Sequence, residues 1–134
     1  MPLSSHPYLP TCALAFGAFP TLVGLQLLLV DPLSGLSMLG YTVPTDPSSR
    51  QLSTSLMRFF GARDLTLGLV TLAVWRFGNR KTLGVTTGLG TGLAVMDGLI
   101  NQVDVVGGGW KHWVFVPFGA MLSGGLLGVF DGLL

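Results

Sequence analysis

Four long apolar stretches alternate with shorter polar ones along the chain, and residues 1–30, 82–96 and 113–130 carry no Asp, Glu, Lys or Arg. A helix that crosses a bilayer needs about 20 mostly apolar residues. The pattern predicts four such helices, over residues 10–30, 54–77, 82–103 and 112–132. We therefore expect an all-α fold, a bundle of four transmembrane helices, in which residues 1–134 form a single integral membrane domain.

Composition favours the membrane over water as the surroundings of this chain. Mean hydropathy is +0.66, and charged residues make up 10% of the sequence, whereas roughly 25–35% is usual on the surface of a soluble domain. The net charge is +1 and no basic stripe is interleaved with aromatic residues, so nucleic acid is not an expected partner. Cys12 is the single cysteine; it excludes a disulfide within the chain, and we expect it to be buried.

The basic residues predict an orientation. The connection at residues 76–81 holds three of the seven basic residues and no acid, and the positive-inside rule places it in the cytoplasm. Four spans then put both termini in the cytoplasm as well. Residues 31–53 face the other side; their short apolar run, Leu33 to Val43, is expected either on the membrane surface or folded back over the helix ends.

Small residues recur at intervals of four in the last two apolar segments. Such spacing lets helix backbones approach closely within a membrane, where no hydrophobic effect drives helices together. We expect these residues to pack helices inside the bundle; a homo-oligomer interface is the alternative. They are Gly84, Gly88 and Gly92 in the third segment, and Gly124 and Gly128, with Ser123 beside them, in the fourth.

Charges interrupt the second apolar segment at Arg58, Arg63 and Asp64. One charge at the centre of a spanning helix costs roughly 2.5–3.5 kcal/mol on insertion scales, so ionisable residues there are functional-site candidates. Adjacent helical side chains diverge by about 100°, so we expect Arg63 and Asp64 each to find a partner elsewhere. Asp97 in the third segment is the candidate partner for Arg63 or Arg58.

Polar residues of all four segments are expected to meet in one half of the bundle, because neighbouring helices run in opposite directions. They should form a polar cavity with an apolar floor, with His112 within reach of Asp97 or Asp104. The set is Gln26, Asp31, Arg58, Arg63, Asp64, Asp97, Asn101, Asp104, Trp110, His112 and Trp113.

Three interpretations of this polar set stay open: structural ion pairs that fix helix packing, an acid–base catalytic group, or a pathway for ions or small solutes. In the catalytic interpretation Asp64, Asp97 and Arg63 carry the chemistry. The substrate-binding candidates are then Arg58, Asn101, His112, Trp110 and Gln26. No cofactor motif is present, and two histidines without any Glu make a metal site improbable, so neither a cofactor nor a metal is expected.

One run of residues resembles a family. The spacing Arg58-x-x-Gly61-x-Arg63-Asp64-x-x-x-Gly68, followed by Asp97, Gly107-Gly108 and His112, is similar to an uncharacterised family of small four-helix membrane proteins common in filamentous fungi and found in bacteria. The resemblance implies the four-span bundle and marks Arg63, Asp64 and Asp97 as shared positions. Some fungal members look like accessory proteins of natural-product pathways. The expected location of this chain is the membrane of the endoplasmic reticulum or another endomembrane.

These observations lead to one expected function and one alternative. The expected function is a small integral-membrane enzyme that performs cofactor-free acid–base chemistry on a lipophilic natural-product intermediate. Epoxide hydration, isomerisation and cyclisation are the reaction types. The alternative is a non-enzymatic membrane scaffold or partner subunit, whose buried ion pairs are structural. The expected partners are a lipophilic small molecule and the lipid bilayer.

Overall fold

A computed structural model describes residues 2–105 and 109–132, and this part of the chain contains helices and no strand. A short 3-10 turn at Leu3–Ser5 precedes the first helix. The six α-helices are α1 (Tyr8–Leu25), α2 (Ser34–Leu39), α3 (Pro47–Phe77), α4 (Arg80–Asp104), α5 (Trp110–Trp113) and α6 (Phe115–Leu127), and α1 continues into a π-helical turn at Gln26–Val30. The all-helical prediction is confirmed.

Local sequence explains where the two longest helices begin. The Asp46 side chain accepts a hydrogen bond of 2.8 Å from the Ser49 N–H, and Pro47 occupies the first turn of α3. Asn79 caps α4 in the same way, accepting from the Thr82 N–H at 3.0 Å. Both side chains pair backbone donors that a helix start leaves open. As a result α3 starts seven residues before the predicted segment.

The helices associate in two pairs, with α1 packed chiefly against α3 and α4 chiefly against α6. Glycine residues allow α1 and α3 to approach each other closely. A methyl group added at Gly17 would lie 2.6 Å from Thr71 Cγ2, and one at Gly24 would lie 2.6 Å from the Gly61 carbonyl oxygen. Neither position has room for a larger side chain, so the backbones of α1 and α3 are nearly in contact. The sequence-based interpretation did not identify this pair.

The second pair uses part of the predicted glycine pattern. A methyl group at Gly88 would lie 2.8 Å from Ser123 Oγ, and this hydroxyl donates a 2.8 Å hydrogen bond to the Gly84 carbonyl. A methyl group at Gly92 would have nothing within 4 Å, and one at Gly124 would meet the ring of Phe130, three residues beyond the end of α6. The small-residue prediction therefore applies to Gly84 and Gly88, with Ser123 rather than Gly124 as the residue opposite.

Two helices are long and apolar enough to cross a membrane, Tyr8–Val30 and Arg80–Asp104. The four predicted spans are thus supported only in part. Charged side chains within α3 lower its suitability as a span, and the predicted fourth segment is divided into α5 and the 13-residue α6. Cys12, predicted to be buried, is exposed on α1.

Helix α2 lies across one end of the two pairs, so of the two predicted placements for residues 33–43 the structure supports the fold-back over the helix ends. The Leu39 carbonyl accepts a 2.9 Å hydrogen bond from Asn101 Nδ2 of α4, and the Met38 carbonyl accepts one of 2.5 Å from Lys111 Nζ. Gly40 ends α2 in the left-handed region at φ +88°, a conformation that glycine adopts without strain. The free carbonyls at the end of α2 are in this way paired by side chains of α4 and α5.

Candidate functional site

A cavity of about 170 Å³ lies between the two helix pairs and is covered at one end by α2. Its walls are largely apolar and aromatic, and its ionisable lining residues are Asp64, Asp97, Lys111 and His112. The other lining residues are Phe16, Gly17, Phe19, Pro20, Val23, Leu27, Gly35, Met38, Leu39, Phe60, Leu67, Thr71, Thr86, Thr87, Gly90, Leu93, Ala94 and Phe115. A cavity is therefore present, but the prediction of a polar one is wrong, because only Asp64, Asp97 and His112 of the predicted polar set line it.

Arg63 joins the two carboxylates of the site. Its Nη1 donates to Asp97 Oδ1 at 2.9 Å and its Nη2 donates to Asp97 Oδ2 at 2.8 Å. This is a bidentate pair, the strong form of the arginine–carboxylate interaction, and it links α3 to α4. The predicted pairing of Arg63 with Asp97 is present. The guanidinium carbon also lies 4.0 Å from the centre of the Phe60 ring, which adds a cation–π contact.

Asp64 also pairs with Arg63, contrary to the expectation that these neighbours diverge too far to meet. Asp64 Oδ1 accepts from Arg63 Nε at 3.2 Å and from Nη2 at 3.1 Å. The expectation considered only the direction of the two Cα–Cβ bonds. A long arginine side chain bends back far enough to bring its guanidinium beside the preceding helical turn and the adjacent carboxylate.

The two carboxylates differ in how their oxygens are used. Both oxygens of Asp97 accept from Arg63, whereas Asp64 Oδ2 accepts no hydrogen bond among the described residues. No fully buried side-chain nitrogen or oxygen in that part of the chain lacks a partner, so Oδ2 must have accessible surface. Asp64 lines the cavity. One oxygen of this lining carboxylate therefore keeps its capacity to accept or donate a hydrogen bond.

His112 and Lys111 contribute to the same wall from α5. The hydrogen bonds and ion pairs of residues 2–105 and 109–132 include none from His112 to Asp97 or Asp104. Its imidazole is half-buried and lines the cavity. His112 is thus placed to contact a bound molecule rather than to orient a carboxylate.

Four predicted substrate-binding residues do not line the cavity. Arg58, Gln26 and Trp110 are exposed, and Trp110 retains 61% of its accessible surface. Asn101 is buried at 6% exposure, but its amide is already bonded to the Leu39 carbonyl and to the Gly109 N–H, at 2.9 and 2.7 Å. Its role is to hold α2 and the start of α5 against α4. Gly107 and Gly108, part of the resembling motif, lie outside the described residues.

A comparison with protein families assigns the chain. A family model described as "Domain of unknown function (DUF4267)" matches residues 17–129. The chain belongs to this family. The predicted relation to an uncharacterised family is thereby confirmed. No match was found among curated proteins or among solved structures. All the cavity-lining residues except Phe16 fall within the DUF4267 match, so the cavity is part of the family domain.

Sequence reasoning missed several residues of the site in this DUF4267 domain. Phe60 lies three positions before Arg63, a spacing that puts the two side chains on one helix face and could have identified it. Phe19, Met38 and Phe115 gave no such signal, because an aromatic or apolar residue in an apolar segment is indistinguishable from packing until the helices are placed.

Proposed function

We propose that this chain is an integral-membrane enzyme that performs acid–base chemistry on a lipophilic small molecule. The observation that carries the proposal is that Asp64 lines an apolar cavity while its Oδ2 accepts no hydrogen bond among the described residues. The other oxygen of this carboxylate and both oxygens of Asp97 are held by Arg63. A fixed carboxylate with one reachable oxygen is what a general acid or base requires.

The membrane setting is part of the proposal. The apolar windows of Tyr8–Val30 and Arg80–Asp104 are only 22% and 33% buried within the chain. A core helix of a soluble protein would be largely covered by its own fold, whereas these faces need another apolar environment. We propose that α3 and the α5–α6 segment span with them as a four-helix bundle, with cytoplasmic termini in an endomembrane. The Arg63–Asp97 pair reduces the cost of charges in α3.

The chemistry needs only one proton. Two carboxylates share one guanidinium, so a single proton on the pair leaves the group without net charge. Asp64 Oδ2 donates this proton to an epoxide oxygen or to a double-bond carbon of the substrate. The resulting cation then returns a proton to the Asp64 carboxylate, directly to give an isomer or cyclised product, or from an added water molecule to give a hydrated one. The catalyst is regenerated in either case.

Metabolite profiling of a host that expresses the chain tests the proposal. Asp64→Asn keeps an oxygen for Arg63 but removes the proton-transferring group, so we expect one lipophilic compound to accumulate and another to disappear. Asp104→Asn is the matched control, because it makes the same chemical change at an exposed helix end. Protein abundance is measured in the membrane fraction for each variant. Unchanged product from an equally abundant Asp64→Asn chain would refute the assignment.

A scaffold without catalysis is the second candidate, and the Arg63–Asp97 contact favours it. This is the ion pair that joins α3 to α4 within the described residues, so it could serve only to hold the helix pairs together. The exchanged pair Arg63→Asp with Asp97→Arg separates the two functions. A scaffold should recover abundance and cellular function with the exchange, whereas the enzyme should recover abundance alone because the geometry around Asp64 changes.

A further inference from the structure

The boundary between α1 and α6 differs from the other contacts around the cavity. Phe19 of α1 and Phe115 of α6 stack with ring centres 4.8 Å apart and planes 29° apart. Both rings line the cavity, and Phe19 retains 48% of its accessible surface. One aromatic pair thus lies both in the cavity wall and at the boundary between α1 and α6.

No hydrogen bond or ion pair joins α1 to α6 among the described residues. Each of these helices packs chiefly against its own partner, α3 or α4. Pro20 directly follows Phe19 within α1 and removes one backbone hydrogen bond at this level, which makes the helix easier to bend. The Phe19–Phe115 contact can therefore open without breaking a polar interaction.

The α2 end of the cavity is held by polar contacts instead. The carbonyls of Met38 and Leu39 are bonded to Lys111 and Asn101, so displacing α2 breaks two hydrogen bonds. His112 of α5 lies three residues before Phe115 of α6 in the sequence, and both side chains line the cavity. A molecule that passes the aromatic pair is thus led toward the polar end of the cavity.

We propose that the substrate is an uncharged lipophilic molecule that reaches the cavity sideways from the bilayer, through a portal between α1 and α6 gated by Phe19 and Phe115. It presents one polar group to Asp64. The apolar walls disfavour a charged body. A cavity of about 150 Å³ is known to hold benzene, so the enclosed part of the substrate is of roughly that size, and a longer molecule extends through the portal. This inference rests on the proposed function.

Labelling of a buried cysteine tests the portal without any need for a known substrate. Thr87 lines the cavity and is 2% exposed, so a reagent that reaches Thr87→Cys has entered the cavity. Cys12→Ser removes the exposed native thiol. The chain is placed in phosphatidylcholine vesicles and treated with N-cyclohexylmaleimide, which partitions into lipid, or with a sulfonated maleimide, which does not. Mass spectrometry follows the rate of labelling.

We expect N-cyclohexylmaleimide to label Thr87→Cys several-fold faster when Phe19→Ala or Phe115→Ala is added, and more slowly with Phe19→Trp. The sulfonated reagent should give little labelling in each case. Phe118→Ala is the matched control, because this phenylalanine is 65% exposed on α6 and does not line the cavity. It should leave the rate unchanged. Gel filtration of each variant confirms that the bundle is intact.

Three results would overturn the portal. They are rates that do not respond to either aromatic substitution, faster labelling by the sulfonated reagent, and acceleration by Met38→Ala greater than that by Phe19→Ala. The test is independent of turnover. If the labelling succeeds while Asp64→Asn leaves metabolites unchanged, the portal stands and the enzyme proposal fails; the reverse pair of results leaves the enzyme with a different route to its cavity.

Discussion

Contacts within the helix pairs differ in kind from the contact between them. Within α1–α3, glycines bring the backbones so close that a methyl group at Gly24 would lie 2.6 Å from the Gly61 carbonyl oxygen. Between α3 and α4 a long arginine side chain reaches across to Asp97, and a methyl group at Gly90 would make only ordinary contact with Leu67, at 3.6 Å. Close glycine packing leaves no space, whereas a bridge of side chains keeps helices apart. The cavity lies beside the second kind of contact.

Removal of the bridging charge should have the largest effect on stability. Arg63→Ala leaves two half-buried carboxylates without their cation, and breaking a buried pair costs about 3–5 kcal/mol. The Arg63 side chain is 34% exposed, so we expect about 3 kcal/mol, the lower end of that range. Unfolding of the purified chain in mixed micelles measures this free energy. Asp64→Asn is the comparison and should cost much less, since Arg63 keeps its bidentate partner. Equal losses from both variants would mean that the bridge is not the main contact.

Crowding the glycine contact should have a smaller effect. Gly24→Ala forces α1 and α3 apart, and overpacking of this kind costs about 1–3 kcal/mol. Gly92→Ala is the matched control in α4, because nothing lies within 4 Å of the added methyl group. This variant should be neutral or slightly stabilising, because alanine favours the helix. The same micelle unfolding assay compares the two, and a Gly24→Ala chain as stable as Gly92→Ala would show that the pairs are not held by close packing.

The smallest effect concerns a carboxylate that takes part in neither kind of contact. The hydrogen bond from the Ser49 N–H, with help from the Ser48 hydroxyl, lowers the pKa of Asp46 below its usual value of 3.8. A lowered pKa in the folded chain means that the stabilising contribution is present above the unfolded pKa and is lost as the pH falls through the folded one. Below about pH 4 the start of α3 should therefore loosen slightly.

Hydrogen exchange at the Ser49 amide between pH 6 and pH 3 measures this change, after correction for intrinsic exchange. Asp46→Asn provides the control, because asparagine caps a helix without titrating at these pH values. In this variant the protection of the Ser49 amide against exchange should stay constant between pH 6 and pH 3, whereas in the parent chain it should fall. A parent chain with the same flat profile would show that the Asp46 cap does not respond to its own protonation.

The apolar stretches predicted where the long helices lie, but the way these helices pair could not be derived from them. The segment at residues 82–103 corresponds closely to α4, since it contains no proline and a single charged residue, Asp97. The segment at 112–132 is divided at Val114 and ends at Leu127, where Gly128 adopts φ +80°. Glycine spacing alone did not distinguish Gly88, which packs against Ser123, from Gly92, which faces open space. Such differences depend on how each helix is rotated about its own axis, and a four-residue spacing of glycines does not determine that rotation.

The charged residues of the candidate site could be predicted from the sequence. Arg63, Asp64 and Asp97 stood out because apolar segments rarely contain ionisable residues, and they meet as a group. Asn101 lies four residues after Asp97, a spacing that puts both on one face of α4, but this spacing does not show that the Asn101 amide is bonded to two backbone groups. Whether a polar side chain is already hydrogen-bonded depends on neighbours that are distant in the sequence. Only the folded structure could therefore distinguish a polar group with a partner from one without.

Asn101 gives the covered end of the cavity a mechanical property. Its Nδ2 donates to the Leu39 carbonyl and its Oδ1 accepts from the Gly109 N–H, so a single amide joins α2 to the residue that precedes α5. A displacement of α2 that tilts this amide strains the second hydrogen bond together with the first. The imidazole of His112 stands three residues further along the same segment. A displacement of α2 is therefore expected to displace the His112 imidazole as well, and a displacement of His112 to displace α2.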